Sequence, residues 1–130
     1  MAAYGSAEWL AALEELAVDL PETPGVTVRA ELAVSGTPEG DVAYQLDVSN
    51  GQVMSTAAGP AADGTVDVSI AMTYSLASSI LGGSEDANAA YMRGDLKPTG
   101  HTGRLLDLLA WSQTGPVRKL GVELAARTDA

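Results

Sequence analysis

The chain carries one histidine, His101, and no cysteine. The stretch Arg93-Gly94-Asp95-Leu96-Lys97-Pro98-Thr99-Gly100-His101-Thr102-Gly103-Arg104 surrounds that histidine with three glycines and three of the seven basic residues. A histidine oriented by an acid such as Asp95 or Asp107 and set beside a serine would serve nucleophilic hydrolysis. No Gly-x-Ser-x-Gly turn is present to expose such a serine. A metal site would need further ligands at characteristic spacings; thiolates are absent and the carboxylates are scattered. Gly94, Gly100 and Gly103 match neither the dinucleotide-binding nor the P-loop glycine pattern. Backbone N–H groups at Gly100 and Gly103, just ahead of a helix, could still meet an anion. The pairs Glu14-Glu15 and Glu85-Asp86 are neighbours on helices, so they diverge by about 100° and share no acid/base site. The expectation is therefore no catalytic residue, no metal and no cofactor, with His101 a polar residue at a strand-to-helix junction. If a hydrophobic substrate were nevertheless processed, His101, Asp95, Tyr91 and Tyr74 would be the acid/base candidates.

The elements around this stretch are legible from periodicity. Trp9, Leu10, Leu13, Leu16, Ala17 and Leu20 recur at helical spacing after the capping residue Ser6, and Pro21 and Pro24 close that helix. The period then drops to two. Val26, Val28, Ala30, Leu32 and Val34 define one strand; Val42, Tyr44, Leu46 and Val48 define the next. Asn50-Gly51 predicts a tight hairpin into a third strand over 52–58. Alternation there puts Val53, Ser55 and Ala57 on one face and Met54, Thr56 and Ala58 on the other. Its short side chains suit an edge strand and a pocket wall. A loop over 59–64 leads to a fourth strand marked by Val66, Val68, Ile70 and Met72. Two short helices follow: one over 74–81 closed by Gly82-Gly83, the second capped by Ser84. A short extended segment at 96–99 precedes a helix rich in leucine (Leu105, Leu106, Leu108, Leu109), and Pro116 opens a last helix. This order predicts one α+β domain over 1–130.

Composition narrows function. Of the 130 residues 46% are hydrophobic, yet phenylalanine is absent, so aliphatic side chains must fill the core. The net charge is −10, with ten acids and one base in residues 1–65. That half repels nucleic acid phosphates, so no nucleic acid partner is expected. The later bases Arg93, Lys97, Arg104, Arg118, Lys119 and Arg127 are where an anionic head group would be met. No basic leader, membrane-length apolar run or peroxisomal tail is seen. A soluble, cytoplasmic protein without stable membrane insertion is the expectation.

The stretch GDLKPTGHTGRLLDLL resembles the end of the sterol carrier protein 2 domain, a lipid-binding family. Gly94, Leu96, Lys97 and Gly100 match its Gly-x-Leu-Lys-x-x-Gly frame, Tyr91 stands near its aromatic position, and Leu105, Leu106 and Leu109 resemble its apolar helix. Pro98 departs from the usual strand residue and implies an edge position. The resemblance implies a five-stranded mixed sheet of order 3-2-1-4-5, covered on one face by helices that enclose an apolar tunnel. It also implies binding of fatty acids, acyl-CoAs, sterols or similar lipids without covalent chemistry. On that reading the candidate wall residues are Met72, Leu76, Ile80, Leu81, Met92, Leu105, Leu108, Leu109 and Trp111. Two alternatives stay open: an enzyme using the same cavity, and a dimerisation or interaction module with Leu120 and Leu124 in a homodimer interface.

Overall fold

The computed structural model of the protein describes residues 2–62 and 64–129. Met1, Ala130 and Asp63, the last within the loop expected at 59–64, lie outside the described residues. The elements are α1 (Ala7–Ala17), β1 (Val28–Thr37), β2 (Gly40–Ser49), β3 (Gln52–Ala58), β4 (Val68–Thr73), α2 (Tyr74–Leu81), α3 (Ala87–Arg93), β5 (Lys97–Gly100), α4 (Thr102–Ser112) and α5 (Gly115–Ala126).

The strands form one mixed sheet in the order β3-β2-β1-β4-β5, with β1 and β4 parallel and every other pair antiparallel. Strand alternation decides which face the helices cover. Val28, Ala30 and Val34 of β1, Tyr44 and Val48 of β2, and Val68 and Ile70 of β4 are buried. Their register partners bring them onto one face. Helix α1 packs against β3, and α2 and α4 pack against β1 and β4. The other face carries Arg29, Glu31, Gln45 and Asp47. Pro98, opposite Ile70, sits on the edge strand β5, where a missing N–H costs the ladder least.

The hairpin at Asn50-Gly51 forms as its sequence predicts. Both residues have positive φ, 50° and 77°, which matches the twist of the flanking strands. The strand that follows departs from simple alternation. Val48 pairs with Val53 but Asp47 pairs with Ser55, so Met54 is an extra, unpaired residue. The hairpin sets Val53 opposite Val48 on the helix-covered face, and the bulge beyond it moves Ser55 and Ala57 to the face of Asp47 and Gln45. The single face expected for Val53, Ser55 and Ala57 is thus split, and Met54 is left 63% exposed.

The link from β3 to β4 crosses the polar face, and Glu31 pins it there. The Glu31 carboxylate accepts the Ala61 N–H at 2.6 Å and the Ser69 hydroxyl, while Gln45 Nε2 reaches the Gly59 and Pro60 carbonyls. The Ser69 hydroxyl first, then the Ala61 N–H, hold the Glu31 carboxyl below its ordinary range.

Two helix boundaries correct the sequence reading. Asp86, not Ser84, caps α3, its carboxylate accepting the Asn88 and Ala89 N–H groups. Ser84 instead donates its hydroxyl to the Ser79 carbonyl. Helix α1 stops at Ala17, although Leu20 beyond it is still buried.

Candidate functional site

Four of the six aromatic residues, Tyr4, Trp9, Tyr44 and Tyr74, form one cluster. Tyr4 and Trp9 have ring centroids 4.5 Å apart, and Tyr44 lies 5.8 Å from Tyr4 and 5.3 Å from Trp9 in edge-on geometry. Tyr74 closes the group edge-on to Tyr4 at 5.4 Å. The Tyr4 and Tyr44 hydroxyls bond to each other at 2.8 Å in a buried setting. Burial is the main cause that pushes the Tyr4 phenol up to about 12 and Tyr44 well above its ordinary value. Both stay protonated across the physiological range.

Beside this cluster lies an apolar cavity of about 190 Å³. Trp9 and Leu13 of α1, Tyr44 and Leu46 of β2 and Val53 of β3 form one side; the hairpin register, with Val53 opposite Val48, is what turns Val53 inward. Ile80 and Leu81 of α2, Trp111 of α4 and Val117, Leu120 and Leu124 of α5 form the other. Both indole N–H groups are used on protein acceptors: Trp9 donates to Thr128 Oγ1 at 2.9 Å and Trp111 to the Gly51 carbonyl at 2.8 Å. These bonds lock the rings in place and leave carbon surface facing the space. Glu85, Asp86, Ser112, Gln113 and Arg118 make a polar rim.

Helix α5 roofs the cavity and packs on α1, α2 and α4. Its far end is tied down: Ala2 bridges Thr128, Asp129 N–H donates to the Ala2 carbonyl at 2.8 Å, and Arg127 lies 3.6 Å from Glu15. Its near end lacks a side-chain cap, because the Thr114 hydroxyl donates to the Trp111 carbonyl instead.

Three of the residues singled out from sequence, Ile80, Leu81 and Trp111, line this cavity. The other six do not. Leu105, Leu108 and Leu109 are buried where α4 packs on the sheet; Leu105 also borders a small hollow beside β5. Leu76 is half-buried against the core. Met72 borders a separate surface hollow with Val34 and Lys97. Met92 is 78% exposed, because Ala87 and Ala90 take the inward face of α3 and Met92 falls two residues round the helix from Ala90. Leu124, read as an interface candidate, is 0% exposed and packs inside the chain. Trp9, Leu13, Tyr44, Leu46 and Val53 stand outside the sequence-based set. Their signal is present in the helix and strand periods, but periodicity marks them only as core.

His101 caps α4: its Nδ1 accepts the Arg104 N–H at 3.1 Å, and its own backbone N–H donates to the Asp67 carbonyl at 2.9 Å. The imidazole therefore occupies the helix terminus that an anion would need. Asp95 pairs with Arg93 at 3.0 Å, and Arg93 also pairs with Glu85. Arg104 donates to the Thr27 carbonyl. No group of metal-ligating side chains occurs among the described residues. No described helix is long and apolar enough to cross a membrane.

The model of the SCP-2 sterol transfer family matches residues 11–109. Among solved structures, a crystal structure of sterol carrier protein 2 is similar over 92% of this chain and 98% of its own, with a TM-score of 0.72 and 23% identity. A conserved hypothetical protein of Thermus thermophilus is similar over 92% of this chain and 87% of its own, with a TM-score of 0.64 and 21% identity. The palmitated SCP2L2 of Aedes aegypti is similar over 88% and 96%, with a TM-score of 0.65 and 18% identity. These likenesses concern the fold. No curated protein matches the chain.

Proposed function

The chain belongs to the SCP-2 sterol transfer family, whose members bind lipids and other hydrophobic molecules, and from that premise we propose that it binds a lipid non-covalently in the cavity beneath α5. The observation that supports this reading most is a cavity walled by aliphatic and aromatic carbon from α1, α2, α4, α5, β2 and β3, with Glu85, Asp86, Ser112, Gln113 and Arg118 at its rim. Residues Trp9, Leu46, Val53, Ile80, Leu81 and Trp111 hold the ligand in this account, and the whole chain, 1–130, acts as one such domain in the cytoplasm. Binding is driven by burial of methylenes at about 0.8 kcal/mol each, offset in large part by the cost of ordering the ligand. Apolar burial has little directional content, so a range of acyl chains or ring systems is accepted.

Cavities for drug-sized ligands usually measure about 300–1,000 Å³. The present space of about 190 Å³ is smaller. A long acyl chain therefore enters by displacing α5 from its uncapped near end, while the tie at Thr128 holds the far end. Titration with a fluorescent fatty acid tests the reading. The native chain should bind it saturably, and Val53→Trp, which fills the cavity from the β3 side, should weaken binding at least tenfold. Equal binding by both proteins would place the ligand elsewhere and refute the assignment.

A further inference from the structure

One residue of the cavity wall, Tyr44, carries a buried hydroxyl whose one bond is to the Tyr4 hydroxyl. Tyr44, 4% exposed, lines the cavity, and Tyr4 stands behind it. Two phenols carry two protons and four lone pairs between them. Their mutual bond at 2.8 Å consumes one proton and one lone pair. Among the described residues neither hydroxyl has another side-chain partner. The pair thus keeps one donor and three acceptor positions inside an apolar enclosure, where an unmet polar group is costly.

Resting on the lipid-binding reading above, we propose that the Tyr4–Tyr44 hydroxyl pair recognises a neutral oxygen, a hydroxyl or carbonyl, at the leading end of an otherwise apolar ligand. The remaining phenolic proton donates to that oxygen, and a ligand hydroxyl can donate back to a free lone pair. The surroundings select a neutral group. Arg118 is the one cationic residue on the described wall; it is exposed, and the carboxylates of Glu85 and Asp86 share that wall. A ligand carboxylate would face two acids and one cation on that wall, so the balance of charge favours a neutral group. The raised tyrosine values keep both phenols as donors at any working pH.

The test compares decanol with decane, titrated by displacement of a polarity-sensitive dye, on the native chain and on Tyr4→Phe/Tyr44→Phe. The paired variant removes both hydroxyls together and orphans neither. Loss of the hydrogen bond should lower decanol affinity about tenfold, with decane affinity changed less than twofold. An unchanged decanol-to-decane ratio overturns this inference while leaving lipid binding intact. Failure of both compounds to bind the native chain overturns this inference and the lipid-binding reading together. Tyr44→Phe alone provides the second variant and should show the same loss of decanol affinity.

Discussion

A methyl group on Gly121 would stand 2.8 Å from the carbonyl oxygen of Leu81. The roof helix α5 and the helix α2 beneath it therefore meet backbone against backbone, at a point on the cavity wall. Any side chain at 121 must push the two helices apart.

Gly121→Val is expected to lower stability by about 1–3 kcal/mol, the usual cost of overpacking a close contact. Gly121→Ala gains about 1 kcal/mol of helix propensity, which offsets part of the same clash, and should be the milder change. Urea unfolding of the two variants checks that order. If the wedge also opens the roof, Gly121→Ala should take up fatty acid faster than the native chain in stopped-flow mixing.

Glu31 should make the fold acid-sensitive. Its carboxyl sits below the ordinary value of 4.5 because the Ser69 hydroxyl and the Ala61 N–H favour the charged form. A lowered folded-state value contributes stability that is full above the unfolded value and is lost as pH falls through the folded one. Stability should therefore decline below about pH 4.5, and part of the decline should vanish in Glu31→Gln. Glutamine keeps one acceptor oxygen, so its cost at neutral pH should be about 1 kcal/mol at this half-exposed position. An acid titration of the unfolding midpoint for both proteins reads the difference.

The buried tyrosines act in the opposite direction. Both values are raised, so the stability they contribute is full below the unfolded value of 10.0 and is lost as pH rises above it, for Tyr4 through about 12. Tyrosinate absorbance for Tyr4 and Tyr44 should appear only together with unfolding. Tyr44→Phe leaves the Tyr4 hydroxyl unpaired and should cost about 1–3 kcal/mol. Tyr4→Phe/Tyr44→Phe removes both partners and should cost less than the sum of the single changes, a double-mutant cycle that isolates the bond.

His101 should matter as a cap. His101→Ala removes the acceptor for the Arg104 N–H and should lower stability by about 1 kcal/mol, while His101→Asn, another good capping residue, should restore most of it. Ligand affinity should be unchanged in both, since the residue is remote from the cavity wall.

Much of this architecture is legible in the residues themselves. The alternation of Val28, Ala30, Leu32 and Val34 and the positive-φ pair Asn50-Gly51 specify β1 and the hairpin, because strand period and turn chemistry act over a few residues. The Gly94–Gly100 frame is enough to anticipate the strand order through family likeness. What sequence could not show is the bulge at Met54. A bulge inserts two residues against one, and only the partner strand reveals which residue is extra; Ser55 and Ala57 consequently leave the face that simple alternation would have them share with Val53. The cavity itself is a shortfall of contact among core residues. Leu108 and Trp111 carry the same helical signal, yet one packs on the sheet and the other borders a void. That distinction depends on distances between backbones set far apart in the chain, such as α5 from β2.

The most direct measurement is native mass spectrometry of the freshly purified chain, followed by organic extraction of whatever is released. The native protein should carry a bound lipid, with occupancy falling sharply in Val53→Trp. A protein that carries no lipid after incubation with excess fatty acid or fatty alcohol, and whose Val53→Trp variant behaves identically, would contradict lipid binding in this cavity.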